Sequence, residues 1–380
     1  MLINSIFGPK FKKYQIGNIV KLAKDNELPL DCGKNISNFN ISYQTYGKLN
    51  KERTNAILIC HAFTGDQYVA SNNPITGKEG WWNEVVGEDK AVDTKKYFVI
   101  CSNVIGSCVG SFGPKDVNPE DGKIYGANFP IITISDMVRA QKLLIDHLEI
   151  KELFSVIGGS MGGFQALEWA ASYPEMVKSV IPLATSFRHN VENIAFNEIG
   201  RKAIMADSDW RSGNYLEEKT FPEKGLAVAR MAAHITYMSK ASLQRKFGRN
   251  LQEKRELSYQ FDIDFQIESY LDHQGSAFIS RYDPNSYLFI SKAMDYFDLE
   301  KDRGQDLTEI FSDSKIKFCL ISFSDDWLFP PSELQILSQK LNIAGLNVSY
   351  VNIDSSHGHD SFLVKNDAME RTIGGFLDNI

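Results

Sequence analysis

Short apolar runs alternate with amphipathic stretches through the first 184 residues of the chain, and the same pattern resumes at residue 315. The first run, 39–46, alternates apolar and polar positions, whereas the later runs are almost continuously apolar. Continuous apolar strands are typical of a mostly parallel sheet that helices cover on both faces. The predicted strands are 39–46, 55–60, 97–103, 153–157, 177–183, 315–323 and 346–353, and helices are predicted at 332–344 and in a final segment through 376.

The strand pattern disappears between residues 186 and 299. Helical periodicity replaces it near 190–206, 223–240, 258–274 and 285–297. A helical block between two strands of an α/β sheet predicts a lid, which shapes a substrate pocket and excludes water from it. We therefore expect a core formed by 1–185 and 300–380, with a lid at 186–299.

The most specific motif is Gly-Gly-Ser-Met-Gly at 158–162, which lies between the predicted strand 153–157 and a helical stretch. A G-x-S-x-G sequence in this context is the nucleophile elbow of the α/β-hydrolase fold. The turn is so tight that its neighbours must lack bulk, and it exposes the serine hydroxyl above the sheet. Ser160 is therefore the candidate nucleophile.

An acid and then a histidine must follow the nucleophile, each after a later strand. Asp325 and Asp326 follow the first of the two C-terminal strands, and His357 and His359 follow the second. A neutral imidazole is a suitable base near pH 7, and a carboxylate fixes its tautomer and stabilises the imidazolium. This order predicts an α/β-hydrolase fold with a Ser-His-Asp triad. The pattern alone leaves open which acid and which histidine face the serine.

Composition and charge narrow the class of protein. The 380 residues, 43% hydrophobic and 23% charged, suit one large domain or a domain with an insertion. A net charge of −7 without a long basic run argues against nucleic-acid and anionic-membrane partners. No apolar stretch approaches the roughly 18 residues of a membrane span, and the N-terminal residues lack a secretory pattern. The five cysteines show no C-x-x-C spacing, so we expect a cytoplasmic protein without a metal site.

Two backbone N–H groups must stabilise the oxyanion that forms when a serine attacks a carbonyl. Met161, the residue after the nucleophile, is expected to supply one of them. The loop after the strand 55–60 is expected to supply the other, through Phe63. His61 in the same loop is interpreted as a residue that braces the loop by hydrogen bonding.

One predicted lid helix carries Arg230, His234 and Tyr237 at positions i, i+4 and i+7, so these side chains share a face. A buried guanidinium needs a partner, and its fork suits a carboxylate. Two interpretations stay open at this point. Arg230 forms an internal ion pair with an acid on another helix, or it binds a substrate that bears a carboxylate.

Further motifs are spread along nearly the whole chain. They are 42–50, 60–65, 80–82, 129–130, 135–138, the Gly-Gly-Ser-Met-Gly-Gly elbow, 247–249, 268–275, 285–288, 326–330 and 358–363. Through these motifs the chain resembles the homoserine O-acetyltransferase family, whose members are acyltransferases on the α/β-hydrolase fold. The resemblance implies that Ser160 is the nucleophile, Asp326 the acid and His359 the base.

The resemblance also has implications for substrate binding. It implies that Arg230 binds the homoserine carboxylate, with Tyr237 nearby, and that Asp360 receives the substrate ammonium group. The position of Asp360 also fits an N-cap of the final helix.

The activity implied is ping-pong transfer of acetyl from acetyl-CoA, through an acetyl-serine, to the γ-hydroxyl of L-homoserine. The product is O-acetyl-L-homoserine, a precursor of methionine. No bound cofactor is expected, because acetyl-CoA is a co-substrate. The expected partners are the two small-molecule substrates and a second copy of the chain in a homodimer.

The identity of the acyl donor depends on a few residues. Leu328, two positions after Asp326, is apolar where the second carboxylate of a succinyl group would favour an arginine, so acetyl is preferred. Lys115 could supply a charge to the acyl path, and Phe112 stands where relatives often have a small hydroxylated residue. Succinyl transfer, serine as the acceptor, and hydrolysis of an ester or thioester are the alternatives.

Overall fold

The computed structural model describes residues 3–7 and 12–380, with side chains from residue 16 onward. Its strands within these residues are β1 (Ile3–Phe7), β2 (Lys12–Ile16), β3 (Asn18–Leu22), β4 (Leu28–Pro29), β5 (Asn35–Ile36), β6 (Phe39–Tyr46), β7 (Ala56–Cys60), β8 (Val86–Gly87), β9 (Val92–Asp93), β10 (Phe98–Ser102), β11 (Leu153–Gly159), β12 (Ser179–Leu183), β13 (Lys317–Phe323) and β14 (Val348–Ile353).

Eight of these strands form one central sheet in the spatial order β14-β13-β12-β11-β7-β10-β6-β3. The six strands from β14 to β10 are parallel to their neighbours, whereas β6 and β3 run antiparallel at one edge. Parallel neighbours need crossover connections, and most of the helices supply them. The observed architecture confirms the predicted α/β class.

The α-helices within the described residues are α1 (Ile134–His147), α2 (Met161–Ser172), α3 (Val191–Ala206), α4 (Glu223–Tyr237), α5 (Lys240–Lys246), α6 (Gln266–Ile279), α7 (Pro284–Tyr296), α8 (Leu299–Arg303), α9 (Leu307–Ile310), α10 (Pro331–Ile343) and α11 (Asp367–Leu377). Helices α3 to α7 lie within residues 186–299, which we call the lid segment. The division of the chain into core and lid stays a prediction. None of the helices in the described part of the chain is both long and apolar enough to cross a membrane.

The sheet is buried on both faces. Successive side chains of a strand point to opposite sides, and every residue of β7 is buried. Ile57 and Ile59 belong to the apolar layer that α11 covers, whereas Leu58 and Cys60 belong to the layer that includes α1 and α2. This double burial explains why the inner strands read as continuous apolar runs in the sequence.

The edge strand β3 and the start of α6 are among the elements that differ from the sequence-based expectation. The edge strand β3 was not predicted, because only Leu22 of its five residues is buried and the pattern is weak. The helix predicted at 258–274 is wrong in its first half, since α6 begins at Gln266 and runs to Ile279. Glu268 accepts the backbone N–H groups of Asp264 and Phe265, both at 2.8 Å, and this capping interaction fixes the later start.

The C-terminal end of α4 is attached to the loops that follow β13 and β14. Trp327 donates its indole N–H to the carbonyl of Met238 at 3.1 Å, and Ser239 donates its hydroxyl to the carbonyl of Ser356 at 2.7 Å. A Cβ atom on Gly358 would lie 2.5 Å from the backbone nitrogen of Ser239. The lid segment therefore contacts the two loops predicted to carry the acid and the histidine.

Candidate active site

The elbow holds Ser160 in a strained backbone conformation between the end of β11 and the start of α2. Its φ of 58° and ψ of −125° are unfavourable for a residue with a side chain. The surrounding structure fixes this conformation, because the Ser160 N–H donates to the Leu183 carbonyl at 3.0 Å and the Ser160 carbonyl accepts from the Thr185 hydroxyl at 2.8 Å. Strain that is held in this way is typical of functional residues.

All four glycines around Ser160 are required by close packing. A Cβ atom added to Gly158 would lie 2.3 Å from the carbonyl oxygen of Gly162, and one added to Gly159 would lie 2.4 Å from the ring of Phe362. A Cβ atom added to Gly162 would lie 2.1 Å from the carbonyl oxygen of Cys60, and one added to Gly163 would lie 2.4 Å from Thr185. Real Cβ atoms essentially never approach this closely. The six-residue form of the motif therefore follows from the packing of the turn against β7, Thr185 and Phe362.

The predicted acid and base form a buried hydrogen-bonded pair. His359 Nδ1 lies 2.8 Å from Asp326 Oδ2, and the two residues are 3% and 2% exposed. Asp326 Oδ1 accepts the backbone N–H groups of Leu328 at 3.0 Å and Phe329 at 2.9 Å. A carboxylate accepts from the N–H of a neutral imidazole, so this contact assigns the proton to Nδ1 and leaves Nε2 as the basic nitrogen.

The neighbouring acid and histidine lie in different environments. Asp325 is half-buried, and His357 is exposed with its Nδ1 3.5 Å from the Ser355 hydroxyl. Within the part of the chain whose side chains are described, the carboxylate that hydrogen-bonds His359 is that of Asp326. The geometry therefore favours Asp326 and His359 over their neighbours.

The ring of Phe362 connects the histidine loop to the elbow. It lies against Gly159, the residue before Ser160, and makes an edge-to-face contact with the His359 imidazole at 5.5 Å between ring centroids. Phe329 contacts the same imidazole at 5.3 Å. These aromatic contacts fix the orientation of the imidazole at the carboxyl end of the sheet.

Ser160 lines a partly open cavity of about 40 Å³. The other lining residues are Phe63, His189, Asn193, Phe196, Asn197, Ala233, Thr236, Tyr237, Tyr287, Met294, Leu328 and Phe329. No lysine or arginine is found among these described residues. A larger open groove of about 990 Å³ lies between α5 and the acid loop and is not lined by Ser160, so the candidate chemistry belongs to the smaller cavity.

Both proposed oxyanion donors have fixed backbones. Met161 is the first residue of α2, and the first N–H groups of a helix have no acceptor within the helix. The Phe63 carbonyl accepts the hydroxyl of Tyr282 at 3.0 Å, and its ring packs against Tyr287 at 4.8 Å. These contacts hold the loop after β7 beside the cavity.

His61 is fully buried and takes part in a hydrogen-bond network within this loop. Its Nε2 accepts the N–H of Val104 at 3.1 Å, so its Nδ1 carries the proton and donates to the Ala62 carbonyl at 2.8 Å. Burial lowers the pKa of His61 to about 4. A neutral imidazole with both nitrogens engaged agrees with the interpretation of His61 as a bracing residue.

Arg230 contacts a polar group and two aromatic rings. Its Nη1 donates to the Thr64 hydroxyl at 3.4 Å, and its guanidinium lies over the rings of Phe278 at 4.7 Å and Tyr237 at 5.5 Å. Among residues 16–380, no carboxylate oxygen lies within 4.0 Å of its nitrogens. The ion-pair interpretation is therefore wrong, and the guanidinium is available for a carboxylate that comes with the substrate.

Asp360 lies beside the base and within the electrostatic field of Arg230. Burial raises the pKa of the Asp360 carboxyl, and the charges of His359 and Arg230 oppose this rise. Asp360 is part of the short turn Gly358–Phe362, whereas the side chain of Asn366 caps α11. The interpretation of Asp360 as the cap of the final helix is therefore wrong.

Tyr237 links these groups to the nucleophile, because its side chain lines the cavity with Ser160. Its ring lies 6.1 Å from the His359 imidazole. The structure thus brings Tyr237, Arg230 and Asp360 to one side of the candidate triad. Leu328 is 8% exposed and lines the same cavity.

The loop 107–116 does not line the cavity. Phe112 is buried in an aromatic cluster with Phe39, Tyr125 and Phe129, at ring distances of 5.0 to 6.2 Å. Lys115 donates to the Cys108 carbonyl at 3.2 Å. Phe112 is therefore explained by core packing.

The sequence analysis did not identify two polar groups near the site. His189 lines the cavity, and its Nδ1 lies 3.3 Å from Asp295, which also accepts from Asn197 at 2.8 Å. Arg281, between α6 and α7, donates to the Thr64 carbonyl at 3.2 Å. Neither residue belongs to a motif with a recognisable spacing, and their partners are distant in the sequence.

Comparison with known proteins agrees with the geometry. Residues 55–366 match the family model for the alpha/beta hydrolase fold. A curated homoserine O-acetyltransferase of Mesorhizobium japonicum is 56% identical over 359 residues, which are 94% of this chain and 92% of that protein. The crystal structure of homoserine O-acetyltransferase from Bacillus anthracis superposes with a TM-score of 0.87 at 28% identity, covering 95% of this chain and 97% of the other. Esterase E22 superposes with a TM-score of 0.85 at 27% identity, covering 95% and 99%.

Proposed function

The chain belongs to the homoserine O-acetyltransferase family of the α/β-hydrolase fold, and we propose that it transfers the acetyl group of acetyl-CoA to the γ-hydroxyl of L-homoserine. The observation that carries the proposal is Arg230, whose guanidinium has no carboxylate partner among residues 16–380 and lies against Tyr237 at the edge of the nucleophile cavity. A simple hydrolase needs no such group, whereas an amino-acid acceptor brings a carboxylate for it.

The first half-reaction forms an acetyl-enzyme. His359 Nε2 removes the proton from the Ser160 hydroxyl, and Oγ attacks the thioester carbonyl of acetyl-CoA. The N–H groups of Phe63 and Met161 stabilise the oxyanion of the tetrahedral intermediate. The carbon–sulfur bond then breaks, and the CoA thiolate leaves with the proton from His359.

The second half-reaction transfers the acetyl group. Arg230 binds the homoserine carboxylate, Asp360 binds the ammonium group, and Tyr237 packs between them and the cavity. His359 removes the proton from the γ-hydroxyl, which attacks the acetyl carbonyl, and Ser160 leaves with that proton. Fixing both charged ends gives the substrate hydroxyl an effective concentration that water lacks. The product, O-acetyl-L-homoserine, enters methionine synthesis.

The size and polarity of the cavity support acetyl as the acyl group. One water molecule needs roughly 10–15 Å³ of such space, so a cavity of about 40 Å³ suits a group of about three non-hydrogen atoms. Acetyl has this size, whereas succinyl is more than twice as large and brings a carboxylate. Leu328 offers that carboxylate no partner.

The remaining parts of the proposal concern cofactor, location and assembly. Every step is a proton or acyl transfer that side chains can carry, so the reaction includes no cofactor besides the co-substrate. Cys60, Cys101 and Cys319 are buried free thiols, as suits a reducing cytoplasm. Val228 and Ile235 of α4 are 48% and 41% exposed, which supports a homodimer through the lid segment.

Hydrolysis of an acetyl ester is the second candidate function, and the similarity to esterase E22 favours it. The triad and oxyanion hole serve both reactions equally. The two candidates differ in the groups that bind the acceptor, because water needs neither Arg230 nor Asp360.

A CoA-release assay that crosses acetyl-CoA and succinyl-CoA with L-homoserine, L-serine and water tests the proposal. We expect rapid release only with acetyl-CoA and L-homoserine together. Release at the same rate without an amino acid would support the hydrolase, and a preference for succinyl-CoA would contradict the proposed donor.

A further inference from the structure

We propose that Arg281 supplies a second guanidinium to the acceptor site. Arg230 and Arg281, which both contact Thr64 and Phe278, would together bind the α-carboxylate of the acceptor amino acid. This inference rests on the proposed transferase function and extends it. No motif in the sequence assigns Arg281 a role.

The two arginines converge on the same pair of residues. Arg230 donates to the Thr64 hydroxyl at 3.4 Å, and Arg281 donates to the Thr64 carbonyl at 3.2 Å. Their guanidinium groups lie 4.7 and 4.9 Å from the centroid of the same Phe278 ring. Two positive charges from different parts of the lid segment thus share two contact residues, and the charge of Arg230 acts on Arg281.

Neither arginine has a close anionic partner in the part of the chain whose side chains are described. Among residues 16–380, no carboxylate oxygen lies within 4.0 Å of either guanidinium. Asp66, whose charge acts on Arg281, is already engaged by the Tyr68 N–H at 2.8 Å and the Asn73 amide at 2.6 Å. Two half-buried like charges repel each other, and a bound carboxylate would reduce that cost by offering one oxygen to each fork.

The pKa values of basic groups at this site are lowered. Burial and the charge of Arg230 lower the pKa of Arg281 to about 10. Burial, followed by the charges of Arg230 and Arg281, lowers the pKa of His234 to about 3. Both shifts have the direction expected of a region with excess positive charge, where an anion binds favourably.

The position of the pair fits the length of homoserine. Thr64 directly follows Phe63, the proposed oxyanion donor, so both guanidinium groups contact the residue next to that donor. In homoserine, three carbon atoms separate the carboxylate from the γ-hydroxyl. A carboxylate held at Thr64 therefore leaves the hydroxyl free to reach the acetyl-serine.

A bracing role is the alternative, because Arg281 and Tyr282 each donate to a carbonyl of the loop after β7. The two roles predict different kinetics. Loss of a brace alters the oxyanion hole and slows acetylation of Ser160, whereas loss of a carboxylate ligand weakens only the binding of the acceptor. Tyr282→Phe removes a hydrogen bond to this loop without removing a charge. It therefore shows how the acetylation of Ser160 changes when only a brace is lost.

The experiment compares Arg281→Gln, Arg281→Lys and Tyr282→Phe, with Arg188→Gln as the control. Arg188 also lies over a phenylalanine ring, at 5.2 Å from Phe187, but on the surface. The rate of acetyl-enzyme formation with acetyl-CoA and the KM for L-homoserine are measured for each variant. Because acetyl-enzyme formation requires a folded site, it also reports that each variant is intact.

We expect Arg281→Gln to raise the homoserine KM about 10- to 100-fold, the usual effect of one charge-assisted hydrogen bond, with acetylation within threefold of wild type. The homoserine KM of Arg281→Lys should lie between those of the wild type and Arg281→Gln. 3-Aminopropan-1-ol, which is homoserine without its carboxylate, should discharge the acetyl-enzymes of wild type and Arg281→Gln equally.

Three results would overturn the inference. Slowed acetylation with an unchanged homoserine KM, as for Tyr282→Phe, would show that Arg281 only braces the loop. A raised KM of Arg281→Gln for acetyl-CoA would show that Arg281 binds a phosphate of CoA. Unchanged kinetics of Arg281→Gln would show that Arg281 has no role in either half-reaction. If the wild type itself forms no acetyl-enzyme, or discharges it no faster with homoserine than with water, the proposed function fails instead.

Discussion

The substitution Asp326→Asn tests the acid–base pair with almost no change in shape. The two oxygens of Asp326 have different partners: Oδ1 accepts two backbone N–H groups, and Oδ2 accepts from His359 Nδ1 at 2.8 Å. Backbone N–H groups can only donate, so the amide oxygen of an asparagine must occupy the Oδ1 position. Its NH₂ group then faces Nδ1 of His359.

The consequence is the wrong tautomer of the imidazole. An NH₂ group facing Nδ1 requires a lone pair there, so the proton moves to Nε2, which can no longer accept the proton of Ser160. The same change in other Ser-His-Asp enzymes lowers kcat about 10⁴-fold. We expect a loss of this size in the acetylation rate, equivalent to about 5 kcal/mol of transition-state stabilisation.

The assay is the rate of acetyl-enzyme formation with acetyl-CoA, measured by rapid quench. Asp325→Asn is the matched control, because this adjacent carboxylate is half-buried and the hydrogen bond to His359 comes from Asp326, so it should change the rate less than about threefold. Retention of more than a tenth of the wild-type rate by Asp326→Asn would refute the reasoning. An equal loss in Asp325→Asn would show that the pair has been assigned to the wrong residue.

Three further predictions follow from packing, charge and burial. Gly159→Ala places a methyl group 2.4 Å from the Phe362 ring, so it should lower the free energy of unfolding by about 1–3 kcal/mol and slow acetylation. Gly375→Ala meets no atom within 4 Å and should stabilise its helix by about 0.4–1 kcal/mol. Urea unfolding that ranks the two variants in the opposite order would contradict the packing described. Burial lowers the pKa of His61 from 6.5 to about 4, so as the pH falls the unfolded chain binds a proton at His61 before the folded protein does. The free energy of unfolding should therefore decrease by up to about 3 kcal/mol between pH 6.5 and pH 4. This pH dependence should weaken in His61→Asn, and an unchanged dependence would assign it to another group. Arg230→Gln should raise the homoserine KM about 10- to 100-fold and spare acetyl-enzyme formation; equal loss of both would exclude a role limited to the acceptor.

The nucleophile and its fold were predictable from the sequence because both depend on local geometry. Apolar runs reflect double burial of a parallel sheet, and the Gly-Gly-Ser-Met-Gly-Gly turn admits no Cβ at its glycines. The predicted strand 39–46 agrees with β6 throughout, and the other predicted sheet strands end within about two residues of those observed.

The choice between neighbouring loop residues was not predictable from the residues alone. Spacing places Asp325 and Asp326 in one loop, but only the backbone hydrogen bonds of that loop determine which carboxylate turns inward. The resemblance to a known family implied Asp326, and burial and the contact with His359 now give a physical reason.

Long-range polar contacts were the least predictable. Arg281 and its partner Thr64 are 217 residues apart, and no periodicity connects them. The weak edge strand β3 and the late start of α6 were missed for a related reason, since the one depends on pairing with β6 and the other on a side-chain cap.

Intact-protein mass spectrometry tests the central claim, that Ser160 carries the acetyl group between two substrates. Wild-type protein mixed with acetyl-CoA alone should gain the mass of one acetyl group, located on Ser160 by peptide mapping and absent from Ser160→Ala. Addition of L-homoserine should then remove it far faster than buffer does, with formation of O-acetyl-L-homoserine. An acetyl group that persists in Ser160→Ala, or one that water and homoserine remove at the same rate, would contradict the account.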